Sequence, residues 1–330
     1  MATVTRRRFL QGAVSTLAAG AVVPALRIGV AWGQQTVPFK LGPVVLGDLA
    51  IMAPVLVGVE RGFFREEGIA PEVVTFTGGP PLLRGVLAGT ADLGLTGATD
   101  PLVFRAQGAP IRAVAVITEK NHFTLIGAPG IGRVADLRGK SIGVTAVGAT
   151  TWVFARLLAK QQGWDPVRDV RIVGLGGLDA QMAALRRGEV QAFIFGDAGA
   201  LAEHLGVGKI ILRLDEVTPK WISEVAYATS DVIRKRKEDL RKVLRGYFRA
   251  QRFCRDNADE TIRIAARGIG WPEPATRRAY ENTRPLWSID GRFDVDAMKF
   301  MQDTLLELGV LTVRWPLSDH YTAEFVPVRL

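Results

Sequence analysis

The stretch LAGTADLGLTGATD, residues 87–100, ends a helix-like segment with a glycine, turns, continues as an apolar run and reaches a second glycine. A similar order recurs later in LRRGEVQAFIFGDA, residues 185–198. Two sets of glycines share this spacing to within one residue: Gly78, Gly79, Gly89 and Gly97, and Gly176, Gly177, Gly188 and Gly196. A glycine just after a helix commonly forms its C-cap. We therefore predict two lobes with a shared plan that face each other across a cleft.

Strands and helices alternate on both sides of these two stretches. The apolar run DVRIVGLGG is typical of a strand, and it is followed by LDAQMAALRRG, whose apolar residues recur at helical spacing. This alternation predicts α/β lobes, each with a mostly parallel sheet flanked by helices. We expect the first lobe to comprise residues 37–119 and 224–330, including the C-terminal helices, and the second to comprise 120–223. The chain would then cross between the lobes twice and form a two-segment hinge.

The 330 residues carry a formal net charge of +9 and one cysteine, Cys254. A mild positive balance favours the approach of an anionic ligand, but it is weak evidence for nucleic acid. The basic run RKRKEDLRKVLRGYFR is interrupted by Glu238 and Asp239 and lies largely off the apolar stripe of its helix, which predicts a solvated helix face. A single cysteine excludes an intrachain disulfide and a metal site built on cysteine pairs.

Residues 1–33 have the layout of a secretory signal, with arginines at 6–8, a mildly apolar middle and small residues at Ala31 and Gly33. The sequence TRRRFLQ is similar to the twin-arginine export motif. We predict cleavage after Gly33 and a periplasmic protein exported by that route. The alternative is an uncleaved anchor, but a glycine, a proline and an arginine interrupt the run, which lacks ~20 continuous apolar residues. No later stretch looks able to span a bilayer, so we expect a soluble mature protein.

Three long segments resemble a known family. The first lobe of that family is resembled by VERGFFREEGIAPEVVTFTGGPPLLRGVLAGTADLGLTGATDP, and its second lobe by VADLRGKSIGVTAVGATTWVFARLLAKQQGWDPVRDVRIVGLGG. Its C-terminal helices are resembled by GRFDVDAMKFMQDTLLELGVL. The family is that of substrate-binding proteins of ABC importers, in the nitrate/sulfonate/taurine and thiamine-precursor group. The resemblance covers nearly all of the mature chain and implies the type II periplasmic-binding fold. It also implies a monomeric, non-catalytic receptor without a cofactor, which delivers a small solute to an inner-membrane permease and its ATPase.

In open α/β sheets, ligands bind beyond the carboxyl ends of the strands. This rule selects loops from both lobes, and the family's ligand contacts fall on matching loops. From the first lobe we predict ligand contacts at Asp48, Ile51, Thr77, Gly78, Gly79, Thr96, Gly97 and Ala98. From the second lobe we predict contacts at Thr145, Gly148, Ala149, Thr150, Thr151, Trp152, Gly177, Gly196 and Asp197. We predict no catalytic residues and no metal ligands.

The loop TAVGATTW is the most informative of these. Its glycine precedes a helix that begins near Ala149, where exposed amides and threonine hydroxyls can hold an anion. Ordinary helix capping explains the same residues. Trp152 could stack on a planar ligand or pack internally.

Four charged residues each have a functional and a structural interpretation. Asp100 and Asp197 would favour a ligand with N–H donors, although capping of the next helix suits Asp100 better. Lys120 and His122 lie at the first predicted crossing, where a solvated loop is their commoner environment.

Two other function classes remain open. Some relatives of this fold are enzymes of thiamine-pyrimidine or menaquinone synthesis, but the histidines here are scattered and no Ser/His/Asp or metal-ligand spacing is evident. A ligand-sensing domain is the other alternative. The amide-rich turns favour an oxyanion and the aspartates favour an amino-heterocycle, and we expect a small organic anion such as a sulfonate or carboxylate.

Overall fold

The computed structural model describes residues 36–330, so the predicted export signal over 1–33 lies outside the described residues. Residues Thr36–Leu330 group into one compact unit. In that unit, none of the helices combines the length and the apolar character that a membrane crossing needs. The unit contains two five-stranded sheets with helices packed on both, as the alternation of strands and helices predicted.

Sheet A has the strand order β2-β1-β3-β10-β4. Its strands are β1 (Val37–Pro43), β2 (Ile69–Val73), β3 (Leu93–Gly97), β4 (Ile111–Thr118) and β10 (Glu224–Thr229). β1 pairs in parallel with β2 and β3, whereas β10 is antiparallel to both β3 and β4. The sheet is therefore mixed, with one strand running against the other four.

Sheet B repeats this plan with the order β7-β6-β8-β5-β9. Its strands are β5 (Thr124–Gly127), β6 (Ser141–Val144), β7 (Arg171–Gly174), β8 (Ala192–Phe195) and β9 (Lys209–Arg213). β6 pairs in parallel with β7 and β8, and β5 is antiparallel to β8 and β9. In each sheet, the antiparallel strand is the one that arrives directly from the other sheet.

Twelve α-helices are described in residues 36–330, and they pack on these sheets. They are α1 (Leu49–Glu60), α2 (Phe63–Glu66), α3 (Gly79–Leu87), α4 (Thr99–Ala106), α5 (Thr150–Gln161), α6 (Leu178–Arg186), α7 (Gly199–His204), α8 (Ser230–Lys235), α9 (Lys237–Asp256), α10 (Ala258–Ile269), α11 (Glu273–Thr283) and α12 (Val295–Glu307). Because helices cover both faces, the inner strands β3 and β8 are buried at every residue and show no alternation of buried and exposed positions.

The glycine echo corresponds to a structural repeat. In sheet A the chain runs β2, α3, β3, α4, and in sheet B it runs β7, α6, β8, α7. Gly89 follows α3 with a φ of 73°, and Gly188 follows α6 with a φ of 72°. A left-handed residue of this kind ends a helix with little steric cost only when it is glycine. The shared plan predicted from the two quoted stretches is confirmed.

The chain passes between the sheets at residues 119–123 and again at 214–223. We call sheet A with its helices lobe 1 and sheet B with its helices lobe 2; the domain boundaries themselves stay a prediction. The C-terminal helices contact lobe 1 mainly through α1 and α2, but α11 also packs on α7 of lobe 2. Arg278 of α11 forms an ion pair of 2.7 Å with Glu203 of α7. Helices after the second crossing therefore contact both lobes.

Candidate functional site

A small cavity lies between the lobes, at the carboxyl ends of β1, β3, β6 and β8. We call it the cleft cavity. It is lined by Val44, Val45, Asp48, Gly79, Thr96, Gly97, Asp100, Phe123, Thr145, Ala149, Thr150, Thr151, Phe195 and Gly196. Its volume is about 20 Å³, enough for about one water molecule. The structure is thus a closed form. An organic solute enters only when the two walls separate, and it fits after closure only if lining side chains such as Asp100 move aside.

Loops of the two lobes are in van der Waals contact around this cavity. A Cβ built on Gly47 of lobe 1 would lie 3.1 Å from the Leu178 side chain of lobe 2. One built on Gly78 would lie 3.3 Å from the Cβ of Ala146. The closest approach is at Gly97, where a built Cβ would lie 2.7 Å from the Cβ of Thr150. Glycine at the end of β3 is therefore what lets the two walls meet.

The amino end of α5 holds a carboxylate from the opposite lobe. Ala149 is the N-cap of α5 and provides no side-chain hydrogen bond. Instead, the backbone N–H of Thr150 donates to Asp100 Oδ1 at 2.7 Å, and its hydroxyl donates to the same oxygen at 2.8 Å. A negative charge is stabilised there because the first amides of a helix lack partners and carry the positive end of its dipole. Asp100 thus occupies the position that the sequence suggested for an anionic solute.

The prediction that Asp100 caps the next helix along the chain is therefore wrong. Asp100 lies in the first turn of α4 but caps α5 across the cleft. Burial raises the pKa of Asp100 to about 6, against the opposing effect of hydrogen bonds from Thr96 and Thr150. The Thr96 hydroxyl donates to Asp100 Oδ2 at 2.6 Å. The carboxyl group is therefore held on both oxygens.

Replacement of Thr150 by valine tests this contact between the lobes. Thr150→Val keeps the side-chain shape but removes the hydroxyl that donates to Asp100, and a hydrogen bond to a charged group contributes roughly 1.5–3 kcal/mol. We expect the free energy of unfolding at neutral pH to fall by a similar amount, because the buried Asp100 carboxylate loses a donor. Urea unfolding measures the change, with Thr150→Ser as the matched control that keeps the hydroxyl. Equal stabilities of the two variants would contradict the contact.

A second polar cluster lies beside the cleft cavity. His122 is buried in the first crossing, with Nε2 3.4 Å from Asp48 Oδ1 and 3.6 Å from Glu224 Oε1. Burial alone would lower the pKa of His122, but Glu224 and Asp48 outweigh it and raise the pKa to about 10. Burial would raise the pKa of Asp48, and His122 reverses this and lowers it. Burial and the Asp48 charge raise the pKa of Glu224 well above its usual range.

The expectation of a solvated loop is wrong for His122, because two carboxylates from distant segments surround it. Lys120, two residues earlier, is exposed. Asp197 is buried and accepts a hydrogen bond from the Thr283 hydroxyl of α11, and burial raises the pKa of Asp197 to about 6. It does not line the cleft cavity.

The structure brings about half of the predicted contacts together at the cleft cavity. The predicted residues that line it are Asp48, Gly79, Thr96, Gly97, Thr145, Ala149, Thr150, Thr151 and Gly196. The predicted residues outside its lining are Ile51, Thr77, Gly78, Ala98, Gly148, Trp152, Gly177 and Asp197. Trp152 packs under the Arg156 guanidinium, whose carbon lies 4.8 Å from the ring centre. Whether any of these residues touches a solute stays a prediction.

Sequence reasoning missed four apolar residues of the lining. Val44 and Val45 follow β1, Phe195 ends β8, and Phe123 is the last residue of the first crossing. The strand-end rule points to the loop after β1, so the two valines were within its reach. Nothing in the sequence separates Phe123 and Phe195 from core residues, since both are also buried in the hydrophobic core.

Residues 50–261 match the model of the family described as NMT1/THI5 like. This match spans well over half of the chain. The chain belongs to the NMT1/THI5-like family.

Three relatives illustrate the family. A protein of Bacillus subtilis named a binding protein, YtlA, is 24% identical over 222 residues, which cover 64% of this chain and 64% of YtlA. A protein of Escherichia coli named as aliphatic sulfonates-binding is 27% identical over 66% of this chain and 67% of its own length. The crystal structure of the Escherichia coli periplasmic aliphatic sulphonate binding protein SsuA aligns with a TM-score of 0.70 and 18% identity, covering 86% of this chain and 92% of SsuA.

These relatives agree with the family and the fold expected from the three resembling segments. At 18% identity, the likeness to SsuA shows the fold alone, with its two mixed sheets flanked by helices. YtlA and the Escherichia coli relative are both named as binding proteins.

Proposed function

We propose that this NMT1/THI5-like protein is the periplasmic solute-binding receptor of an ABC importer, closing its two lobes around a small organic solute. The observation that carries the proposal is the cleft cavity, which lies at the strand ends of both lobes and is shut by contacts between them. Opening and closing about two chain crossings is a common way to trap a ligand. A permease with its ATPase would then recognise the closed form.

The charges of the cavity narrow the class of solute. Its lining includes the carboxyl groups of Asp48 and Asp100, and no lysine or arginine belongs to that lining in the described part of the chain. The amides of α5 suit an oxyanion once Asp100 moves away, while the carboxylates suit an amine or N–H group. We therefore propose an organic anion, of the sulfonate or carboxylate type, that also carries a nitrogen donor.

A matched pair of solutes tests the proposal. Taurine has an amine and a sulfonate, whereas ethanesulfonate has the sulfonate alone. We expect taurine-like aminosulfonates or amino acids to bind at least about tenfold more tightly than their amine-free counterparts, since an unpaired buried carboxylate costs more than 1 kcal/mol. A thermal-shift screen detects binding, because a solute at a thousand times its dissociation constant stabilises the fold by ~4 kcal/mol. Turnover of the solute, or no binding by any small solute, would contradict a receptor.

The environment of Cys254 argues against this residue as a catalytic nucleophile. Cys254 is buried, and this burial raises the pKa of its thiol far above the range in which a thiolate forms. The non-enzymatic role stays a prediction, as do export by the twin-arginine route, the monomeric state and the permease partner.

A further inference from the structure

Three potential metal ligands converge at the base of the cleft cavity from separate parts of the chain. Asp48 is the N-cap of α1, His122 lies in the first crossing, and Glu224 begins β10 after the second crossing. All three side chains are almost fully buried. One potential ligand atom from each lies within 4.8 Å of the other two. The sequence alone gave no sign of this grouping, since its members are far apart along the chain.

Two of the atoms that face each other in this cluster lack hydrogen bonds, whereas Asp48 Oδ1 accepts one from the backbone N–H of Ala50 at 3.1 Å. His122 Nε2 and Glu224 Oε1 are both buried without a hydrogen-bond partner. Their separation of 3.6 Å, and the 3.4 Å from Nε2 to Asp48 Oδ1, are too long for hydrogen bonds. Both distances are close to the edge of a tetrahedron of ligands about 2.1 Å from a zinc ion, which is roughly 3.4 Å. The spacing therefore suits an ion between the ligands better than direct bonds among them.

Other groups fix the orientation of each ligand. His122 Nδ1 lies 2.7 Å from the Ser223 hydroxyl, which leaves Nε2 facing the two carboxylates. The Thr118 hydroxyl donates to Glu224 Oε2 at 2.8 Å, so that Oε1 remains free. Outer contacts of this kind hold the ligands of protein metal sites in place and tune their affinity.

We propose that Asp48, His122 and Glu224 form a site for one divalent transition-metal ion of the zinc type, with its fourth position facing the cleft cavity. Two carboxylates and an imidazole are a ligand set that suits Zn²⁺ or Co²⁺. Gly196 of lobe 2 lies over the site, since a Cβ built there would be 2.7 Å from His122 Nε2. Opening of the lobes would move Gly196 away and give an ion or a ligand access.

The bound ion also supplies the positive charge that the cavity lining lacks. An anionic group of the solute would be its fourth ligand, a step that rests on the function proposed above. Catalytic zinc sites commonly have three protein ligands and one exchangeable position. In this chain the same arrangement would hold a solute rather than activate a water molecule.

Titration of the full protein with Co²⁺ tests the site without any solute. After dialysis against a chelator, we expect one Co²⁺ per chain, the strong visible absorption of tetrahedral cobalt, and displacement by Zn²⁺. His122→Gln and Glu224→Gln should each weaken binding by more than about 100-fold, and Thr118→Val by about 10-fold. His204→Gln is the matched control, because His204 is exposed on α7 and should leave binding unchanged.

Circular dichroism checks that each variant is folded, and Thr118→Val provides a variant that keeps all three ligands. The site is refuted if the folded wild-type protein binds neither Co²⁺ nor Zn²⁺, or if His122→Gln binds them as tightly as the wild type. A solute screen on metal-free and metal-loaded protein then separates the two proposals. If the protein binds metal but no small solute, only the receptor proposal is refuted. If it binds a solute but takes up no metal, so that solute binding is the same with and without added metal, only the metal site is refuted.

Discussion

Gly97→Ala should weaken solute binding by about 10- to 100-fold by preventing complete closure of the lobes. The new methyl group would lie 2.7 Å from Thr150 Cβ and 2.8 Å from Thr150 Cγ2, and closer still to its hydroxyl oxygen. Gly97 is not among the glycines with positive φ, so alanine fits the backbone of β3 itself. The steric cost therefore falls on the closed form. Overpacking of this kind costs roughly 1–3 kcal/mol, which raises the apparent dissociation constant accordingly.

Isothermal titration and small-angle X-ray scattering measure the two consequences. The wild type should become more compact when solute saturates it, whereas Gly97→Ala should need higher solute concentrations to reach the same state. Gly132→Ala is the matched control, because Gly132 is exposed, a Cβ built on it would meet no atom closer than 3.7 Å, and it is not among the glycines with positive φ. Unchanged affinity and compaction in Gly97→Ala would show that closure does not bring β3 against α5.

The wild type should lose unfolding free energy as the pH rises from 4 to 7.5, and Asp100→Asn should lack the part of this loss that comes from Asp100. Burial raises the pKa of Asp100 to about 6 from the ordinary 3.8, so the folded protein holds a proton more tightly than the unfolded chain. The unfolding free energy therefore falls as the pH rises through this range, because the unfolded state binds fewer protons than the folded state. A rise of about two units corresponds to about 3 kcal/mol. Asparagine does not titrate and lacks this dependence.

Urea unfolding at several pH values measures the unfolding free energy of Asp100→Asn minus that of the wild type. This difference in unfolding free energy should rise by about 3 kcal/mol between pH 4 and pH 7.5. Asp179→Asn is the matched control, since Asp179 also lies in the first turn of a helix but is exposed. Its difference from the wild type should change little with pH. A flat difference for Asp100→Asn would mean that Asp100 is solvated in solution, and that the unliganded protein is open.

Both variants probe one contact between the lobes. Asp100 of α4 accepts hydrogen bonds from Thr150 of α5, and Gly97 packs against the same threonine. An anionic solute at the amino end of α5 would have to displace the Asp100 carboxylate. The protein therefore holds the Asp100 carboxylate in the place proposed for the anionic group of the solute. Solute affinity then depends on how much more strongly the amino end of α5 binds that group than it binds Asp100.

The sequence by itself determined the two-lobed α/β plan. The spacing of Gly89 and Gly188 after helices, and of Gly97 and Gly196 at the ends of strands, predicted the repeat that the sheets show. These signals are local, because a turn, a cap or an apolar period depends on residues close together in the chain. The same local reasoning predicted that the basic residues of α9 lie off its apolar stripe, and none of them is fully buried.

Only the tertiary structure decided which polar side chains meet. The sequence suggested a solvated loop for His122 and a local cap for Asp100, which are the common environments of such residues. Instead, His122 lies between two carboxylates, and Asp100 caps a helix of the other lobe. The partner of a buried charge is set by which elements pack around it, since burial makes an unpaired charge costly wherever its partner lies in the chain. That choice depends on the folded arrangement of both lobes and the two crossings, which no short stretch of sequence specifies.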